Sequence, residues 1–562
     1  MAHLYKKVKK GRDYYYIRET QRVYGKPTTV NQVYLGTAEK AQTLLEQEDG
    51  GFSAKEFGSI FVIDALDQNL KLAAIIDDVL PPKKRTRGPT LGELVFFAAM
   101  NRAIAPTSKR QLASWYETTD IQRVRPLRLE SLSSQNFWNH YDRIGDGDLE
   151  KMVAAFFRKV TTLLPSREEP LLLEAVNLVS SPRALPQGGD PLPPLPPPQL
   201  GLALFTGQAT GVPRYFQVFP GGLPGTFWQA SVEGLLGRVN QLGMNCQDLT
   251  LVFHQEADPQ ALARVQAQKG FHFVAAAPQL GEEASQVPLQ DFRPLPGSAR
   301  EGEDPVMYYE TRISLGDQRH RMIITFDPQF FQKSYQDLRK KVQKVHRGLA
   351  SLAAREAPGA EEDFPGSVKA HLAQLCQRLN LSPGLFQLSF SPQGVRPALA
   401  WQLDHQQVQE ALRRLGKNVL VTDREDWSAP DIYRVYTQRL MLRTLSANGS
   451  RRESFLEARH PFQLPLTPLY HWTDSKLRVH LFVCVVALTY LSLLGHRLNT
   501  AGLALSPKEA MEEMRALCSA IHLTKPEGKL RRTLGRVSDS QLAILKALGF
   551  QVQDGKILPL QG

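Results

Sequence analysis

The sequence predicts an α/β protein, a sheet covered by helices, and three observations point that way. Residues 249–253, Leu-Thr-Leu-Val-Phe, form a short apolar run of β type with one polar side chain, His254, at its C-terminal tip, the end of an α/β sheet where chemistry is usually mounted. Residues 171–178, Leu-Leu-Leu-Glu-Ala-Val-Asn-Leu, have the same form, with Glu174 set among apolar neighbours. Between 199 and 276, strand-like and helix-like runs alternate, which implies a mainly parallel sheet with helices on both faces.

A chain of 562 residues exceeds one hydrophobic core, so two to four domains are expected. Composition shifts divide it into a basic β-hairpin arm (1–50), a helical region (51–166), the first part of the sheet core (167–280), an insertion with strands and a basic helix (281–400), the second part of the core (401–500) and a helical tail (501–562). Hydrophobic content of 42% and charged content of 22% are ordinary for a globular protein. The net charge of +12 and pI near 9.4 favour a polyanionic partner, because neutralising phosphates releases counterions. Cys246, Cys376, Cys484 and Cys518 lie far apart with no Cys-x-x-Cys pair, which argues against zinc and against a secreted disulfide framework. A reducing cytoplasm is the expected compartment. The opening Met-Ala-His-Leu-Tyr-Lys-Lys lacks the apolar region of a signal peptide. The late apolar stretch 481–494 is shorter than the roughly 20 residues that span a bilayer, so it reads as a buried helix.

Taken in order, Lys6, Lys7, Lys9, Lys10 and Arg12 precede Tyr14-Tyr15-Tyr16-Ile17, a Gly25-Lys26-Pro27 turn and a second β-type run. This is the pattern of a β-hairpin with a basic approach, suited to a DNA backbone or simply solvated. Residues 57–80 carry apolar side chains at helical spacing up to Pro81-Pro82. The basic connector Lys83, Lys84, Arg85 and Arg87 follows, then helical patterns over 91–102, 108–116, 134–144 and 149–164. Residues 182–198 are proline-rich and exclude helix or central strand. They suit a stiff surface loop, or a partner that reads polyproline. Past Gly316, which joins two strand-like runs, Asp327-Pro328 opens a helix bearing Lys333, Arg339, Lys340, Lys341, Lys344 and Arg347. Part of that run shares one face, where phosphate contact and plain solvation are both open.

Several phrases resemble the bacterial insertion-sequence DDE transposases of the IS-four-like superfamily. Val212-Pro-Arg-Tyr-Phe-Gln-Val-Phe-Pro220 followed by two glycines is similar to that family's Ile-Pro-Leu-x-x-x-Val-x-Pro-Gly. Asn418-Val-Leu-Val-Thr resembles its Tyr-Val-Leu-x-Thr, and Tyr436-Thr-Gln-Arg439 keeps the first two residues of its Tyr-x-x-Arg-x-x-x-Glu helix. The closing segment from Leu469 is similar as well, so the resemblance covers about 171–498. It implies an RNase H-like core of mixed sheet flanked by helices, a β-rich insertion and a helical N-terminal region that binds DNA. Lys83, Lys84, Arg85, Arg87, Lys340, Lys341, Lys344, Tyr436 and Arg439 are the expected DNA contacts, and a homodimer is one assembly open to it.

The family joins two Asp from strands and one Glu from a helix around two divalent ions. Carried over by position, these acids fall on Glu174, His254 and Arg443. A second alignment of the helix places the last on Arg452, leaving Glu453 one residue off. Mg²⁺ and Mn²⁺ are hard cations held through oxygen, and neither imidazole nor guanidinium replaces a bridging carboxylate. The expectation is a DNA-binding protein of transposase type that has lost DNA cleavage and holds no metal. If activity is retained, Mg²⁺ or Mn²⁺ would need a displaced set of Glu174, Glu256 and Glu453.

Overall fold

Alternating Tyr, Lys and apolar side chains favour extended chain, and in the computed structural model the N-terminal basic run is itself a strand. β1 (Ala2–Lys9), β2 (Arg12–Val23) and β3 (Lys26–Gly36) form an antiparallel sheet that places Ile17 opposite Leu4 and Val33. The expected hairpin is therefore a three-stranded meander. Gly11, at φ 73°, makes the extra turn that a side chain would strain.

The structure describes residues 2–9, 11–46, 51–82, 88–164, 169–179, 199–253, 258–299, 304–354, 364–393, 396–445, 474–524 and 529–560. Two units are present: Met1–Thr250 with Gln438–Gly562, and Leu251–Thr437.

In the first unit, α1 (Ala38–Glu46) and β4 (Gly51–Glu56) lead to a run of helices: α2 (Gly58–Leu70), α3 (Leu72–Val79), α4 (Leu91–Ile104), α5 (Leu112–Glu117), α6 (Ile121–Val124), α7 (Ser134–Tyr141) and α8 (Asp146–Leu163). The single helix expected over 57–80 breaks at Lys71, which adopts left-handed φ 56°. Buried Asp67 accounts for the break, because its Oδ1 accepts the Leu72 N–H at 3.0 Å and so starts the next helix. Thr90 and Glu93 cap α4 reciprocally, at 3.1 and 2.8 Å. A Cβ on Gly92 would lie 2.1 Å from the Ala73 carbonyl oxygen, so glycine lets α3 and α4 approach. The chain then forms an antiparallel meander of β5 (Leu171–Val179), β6 (Gln199–Gly207) and β7 (Pro213–Pro220), followed by α9 (Phe227–Leu236).

In the second unit, β8 (Thr250–Phe253), α10 (Pro259–Lys269), β9 (His272–Ala276), α11 (Gly281–Gln286), β10 (Arg293–Pro294), β11 (Met307–Leu315) and β12 (Gln318–Phe326) precede α12 (Pro328–Ala354) and α13 (Phe364–Leu379). A hairpin of β13 (Phe386–Gln393) and β14 (Arg396–Leu403), then α14 (His405–Arg414), return the chain to β15 (Lys417–Thr422). The sheet order is β10-β11-β12-β15-β9-β8. The pairs β10–β11, β11–β12, β12–β15 and β15–β9 are all antiparallel, so the mainly parallel sheet expected from alternation is corrected to a mixed one. The cause is connection length: β11 and β12 are joined by a tight turn at Gly316, φ 61°, which permits only an antiparallel neighbour. Beyond β15, Asp423 accepts from His272 Nδ1 at 2.7 Å and from the Phe273 N–H at 2.8 Å, tying β15 to β9.

After α15 (Ala429–Leu445), the first unit is completed by α16 (Asp474–Thr500), α17 (Pro507–Arg515), β16 (Cys518–Thr524), β17 (Lys529–Leu534), α18 (Asp539–Ala547), β18 (Phe550–Gln553) and β19 (Lys556–Pro559). α16 is the core helix. It extends beyond the expected 481–494, and residues 476–500 are long and apolar enough to cross a membrane, with an 18-residue window of mean hydropathy 2.0. Yet 83% of that window is buried inside the chain: Phe482 meets Phe156 edge-on at 5.9 Å, and Tyr490 meets Phe96 at 6.4 Å. Tyr490 Oη donates to Asp67 at 2.7 Å, and Arg125 spans Asp64 and Asp67, both at 2.7 Å, while lying over the Phe96 ring at 3.8 Å. Burial and the Asp67 carboxylate push the Tyr490 hydroxyl pKa upward. The tail expected to be helical contains four strands. β16 lies between β17 and β4, with Cys518 opposite Glu56.

Candidate nucleic-acid interface

The basic helix expected after Asp327-Pro328 is α12, 27 residues and about 40 Å long. Proline opens it without losing a needed donor, and Asp327 Oδ1 accepts the N–H groups of Gln329 and Phe330 at 2.9 and 3.0 Å. One side of α12 is apolar: Val345 and Leu349 are fully buried in a cluster with Val368, Leu372 and Cys376 of α13 and Phe386 of β13. Gly348 permits that packing, since a Cβ there would lie 2.7 Å from Leu375 Cδ1. Trp401 Nε1 donates to His346 Nδ1 at 2.7 Å, which fixes the β13–β14 hairpin against the helix.

With that side buried, the other must face water. Lys333, Asp337, Lys340, Lys344 and Arg347 recur at steps of four, three, four and three, which places them on one face. All five are exposed. α13 supplies Arg378 in its last turn, where a cation is favoured by the helix dipole. Lys340, Lys341, Lys344, Arg347 and Arg378 together line a depression of about 510 Å³, with Leu379 and Asn380 also in its lining. Five cations meet one carboxylate there, Asp337, which holds Lys341 at 3.1 Å. Such a groove suits a backbone of repeated anions. Arg378 was not foreseen from sequence. Its only local signal is a basic last turn before Asn380, whose left-handed φ of 53° ends α13.

The other expected site residues fare unevenly. Glu174 is half-buried on β5, opposite Leu204 of β6. α15 carries Tyr436, buried, together with Arg439 and Arg443; the spacing of three and four sets these three positions along one helix face. His254, Glu256 and Glu453, and the connector Lys83, Lys84, Arg85 and Arg87, lie outside the described residues, as does 182–198. Among the described residues, no three His, Cys, Asp or Glu side chains are grouped to hold a metal ion. By donor chemistry, a carboxylate, an imidazole and a guanidinium do not fit a pair of hard divalent cations.

No known protein family matches the chain, and no curated protein does. Among solved structures it is similar to a piggyBac transposase synaptic complex with hairpin DNA, at 9% identity and a TM-score of 0.27, over 81% of this chain and 79% of that chain. A likeness of that size fixes neither fold nor function.

Proposed function

We propose that this chain is a DNA-binding protein of transposase type, with an RNase H-like core of the insertion-sequence DDE kind, that no longer cuts DNA. The observation that carries DNA binding is the α12–α13 groove, where five cations stand against one acid, itself paired with Lys341. Support for the ancestry comes from the element types: Glu174 is on a strand, the strand β8 ends one residue before His254, and Arg443 is on a helix. The family places its two Asp on strands and its Glu on a helix. Loss of cleavage follows from ligand chemistry, because a guanidinium in place of a carboxylate reverses the charge that a metal requires.

The test is duplex DNA binding across a salt series. Each phosphate contact contributes a slope of about −0.9 in log affinity against log salt, so engagement of the groove gives a total near −4. Absent or salt-insensitive binding rejects the reading. In parallel, incubation with Mg²⁺ or Mn²⁺ is expected to leave supercoiled plasmid intact. Nicking that disappears in Glu174→Ala, and likewise in Glu256→Ala and Glu453→Ala, would establish the displaced set of Glu174, Glu256 and Glu453 as a working site. A homodimer belongs to the same reading and is measured by analytical ultracentrifugation.

A further inference from the structure

The N-terminal sheet has two unlike faces. Strand alternation turns Ile17 and Tyr15 toward Leu35 and Ala41 of the α1 side, where they form a small core. The same alternation turns Tyr14, Tyr16 and Arg18 the other way. Register then places Tyr5 and Tyr34 on either side of Tyr16, and Lys7 opposite Tyr14. Four tyrosines thus share one sheet face, with ring centroids 5.1 Å apart for Tyr16–Tyr34, 6.2 Å for Tyr14–Tyr34 and 6.4 Å for Tyr5–Tyr16. Arg18 lies over the Tyr5 ring at 3.3 Å and is held there by Gln32 at 2.7 Å. No helix covers these rings among the described residues: Tyr34 is 55% exposed and the other three are half-buried by one another.

Charge is sorted between the faces as well. From residue 3 to residue 18, every charged side chain on the tyrosine face is a cation. Asp13 and Glu19 fall on the opposite face, where they pair with Lys6 at 2.6 Å and Arg532 at 3.0 Å. Cross-strand ring pairs alone would stabilise a sheet without such sorting. Flat, braced π-faces edged only by cations match a ligand with flat bases on a repeating anionic backbone. In a duplex those base faces are already stacked on one another, so the match is to an unpaired strand.

We propose that this face binds single-stranded nucleic acid by stacking bases on the Tyr14, Tyr16 and Tyr34 rings, with Lys7 against the backbone and Arg18 bracing Tyr5 at the edge. Sheet-mounted rings of this kind accommodate about two or three bases. The inference stands on this face alone and does not use the α12–α13 groove.

The experiment uses the full chain, with a labelled short single-stranded oligonucleotide and the matching duplex as probes, followed by fluorescence anisotropy. Tyr16→Ala and Tyr34→Ala are each expected to weaken single-strand binding roughly tenfold, with duplex affinity nearly unchanged. Tyr16→Phe, which keeps the ring and the fold, should retain single-strand affinity, and Tyr16→Leu should lose it. Single-strand affinity retained in Tyr16→Leu, or equal losses on both probes, overturns the proposal. Salt-dependent duplex binding with no single-strand binding removes this inference and leaves the DNA-binding reading intact. Single-strand binding with no duplex binding does the reverse.

Discussion

Arginine and lysine serve opposite purposes in the interior of the first unit and on α12 of the second. Arg125 is held by Asp64 and Asp67, both buried, and Asp67 is held in turn by Tyr490. Arg214, 1% exposed, pairs with Glu169 at 2.5 Å, and Thr210 Oγ1 adds a bond to the same carboxylate at 2.8 Å. On α12, by contrast, Lys333, Lys340, Lys344 and Arg347 face water, and the one acid on their face is turned to Lys341. The lesson is that net charge says little until it is sorted by partner. A cation matched by a buried carboxylate belongs to the fold, whereas a row of exposed cations with one acid among them is available to something else.

That contrast can be broken at several points, and the largest effect is expected in the buried network. Asp67→Ala leaves Arg125 with Asp64 alone and removes the acceptor for Tyr490 and for the Leu72 N–H. Equilibrium denaturant unfolding should show a loss of about 3–5 kcal/mol, with the salt slope of DNA binding unchanged. On α12 the pattern inverts. Replacing Lys340, Lys344 and Arg347 together by Ala should reduce the salt slope by about 3, while stability moves by no more than about 0.5 kcal/mol per site.

Lys109 sharpens the comparison because it is a cation held in the first unit largely by aromatic rings. Its Nζ lies 5.1 Å from the Tyr141 ring centroid and 5.9 Å from those of Phe137 and Trp138. Burial, reinforced by Arg102, lowers its pKa from 10.5 to about 8. The folded state therefore holds this proton less tightly than the unfolded chain does, so the lysine destabilises the fold below pH 8, and the penalty fades as pH rises toward 10.5. Lys109→Met should raise stability at pH 7 by about 1–3 kcal/mol, with the difference from the native chain shrinking between pH 8 and 10.5 in pH-resolved thermal melts. The smallest effect belongs to Asp337. Asp337→Asn removes the one acid from the groove and should tighten duplex binding about two- to fivefold in the same titration, since an exposed ion pair is worth at most about 1 kcal/mol.

Which features could be read from sequence follows from how local their causes are. α12 was legible because Asp-Pro opens it and its cations recur at helical spacing, both signals carried within the helix. Lys71 was not, since a non-glycine left-handed residue gives no warning and its break is organised by Asp67. The mixed sheet agrees with the resemblance, whereas the mainly parallel one inferred from alternation over 199–276 does not hold, because alternation of element types does not reveal that β6 and β7 pair antiparallel. Strands β16 and β17 escaped because β16 pairs with β4, far away in sequence, and no local pattern announces a distant partner. Glu174 lies on a strand and Arg443 on a helix.

The β4–β16 pairing bears on how this chain reaches its final form during synthesis. Residues 51–56 are made well before 518–522, the strand that pairs with them, and more than 460 residues of chain lie between the two. Until 518–522 are made, that edge of β4 lacks its strand partner. The growing polypeptide must keep it from pairing with a neighbouring chain in the interval.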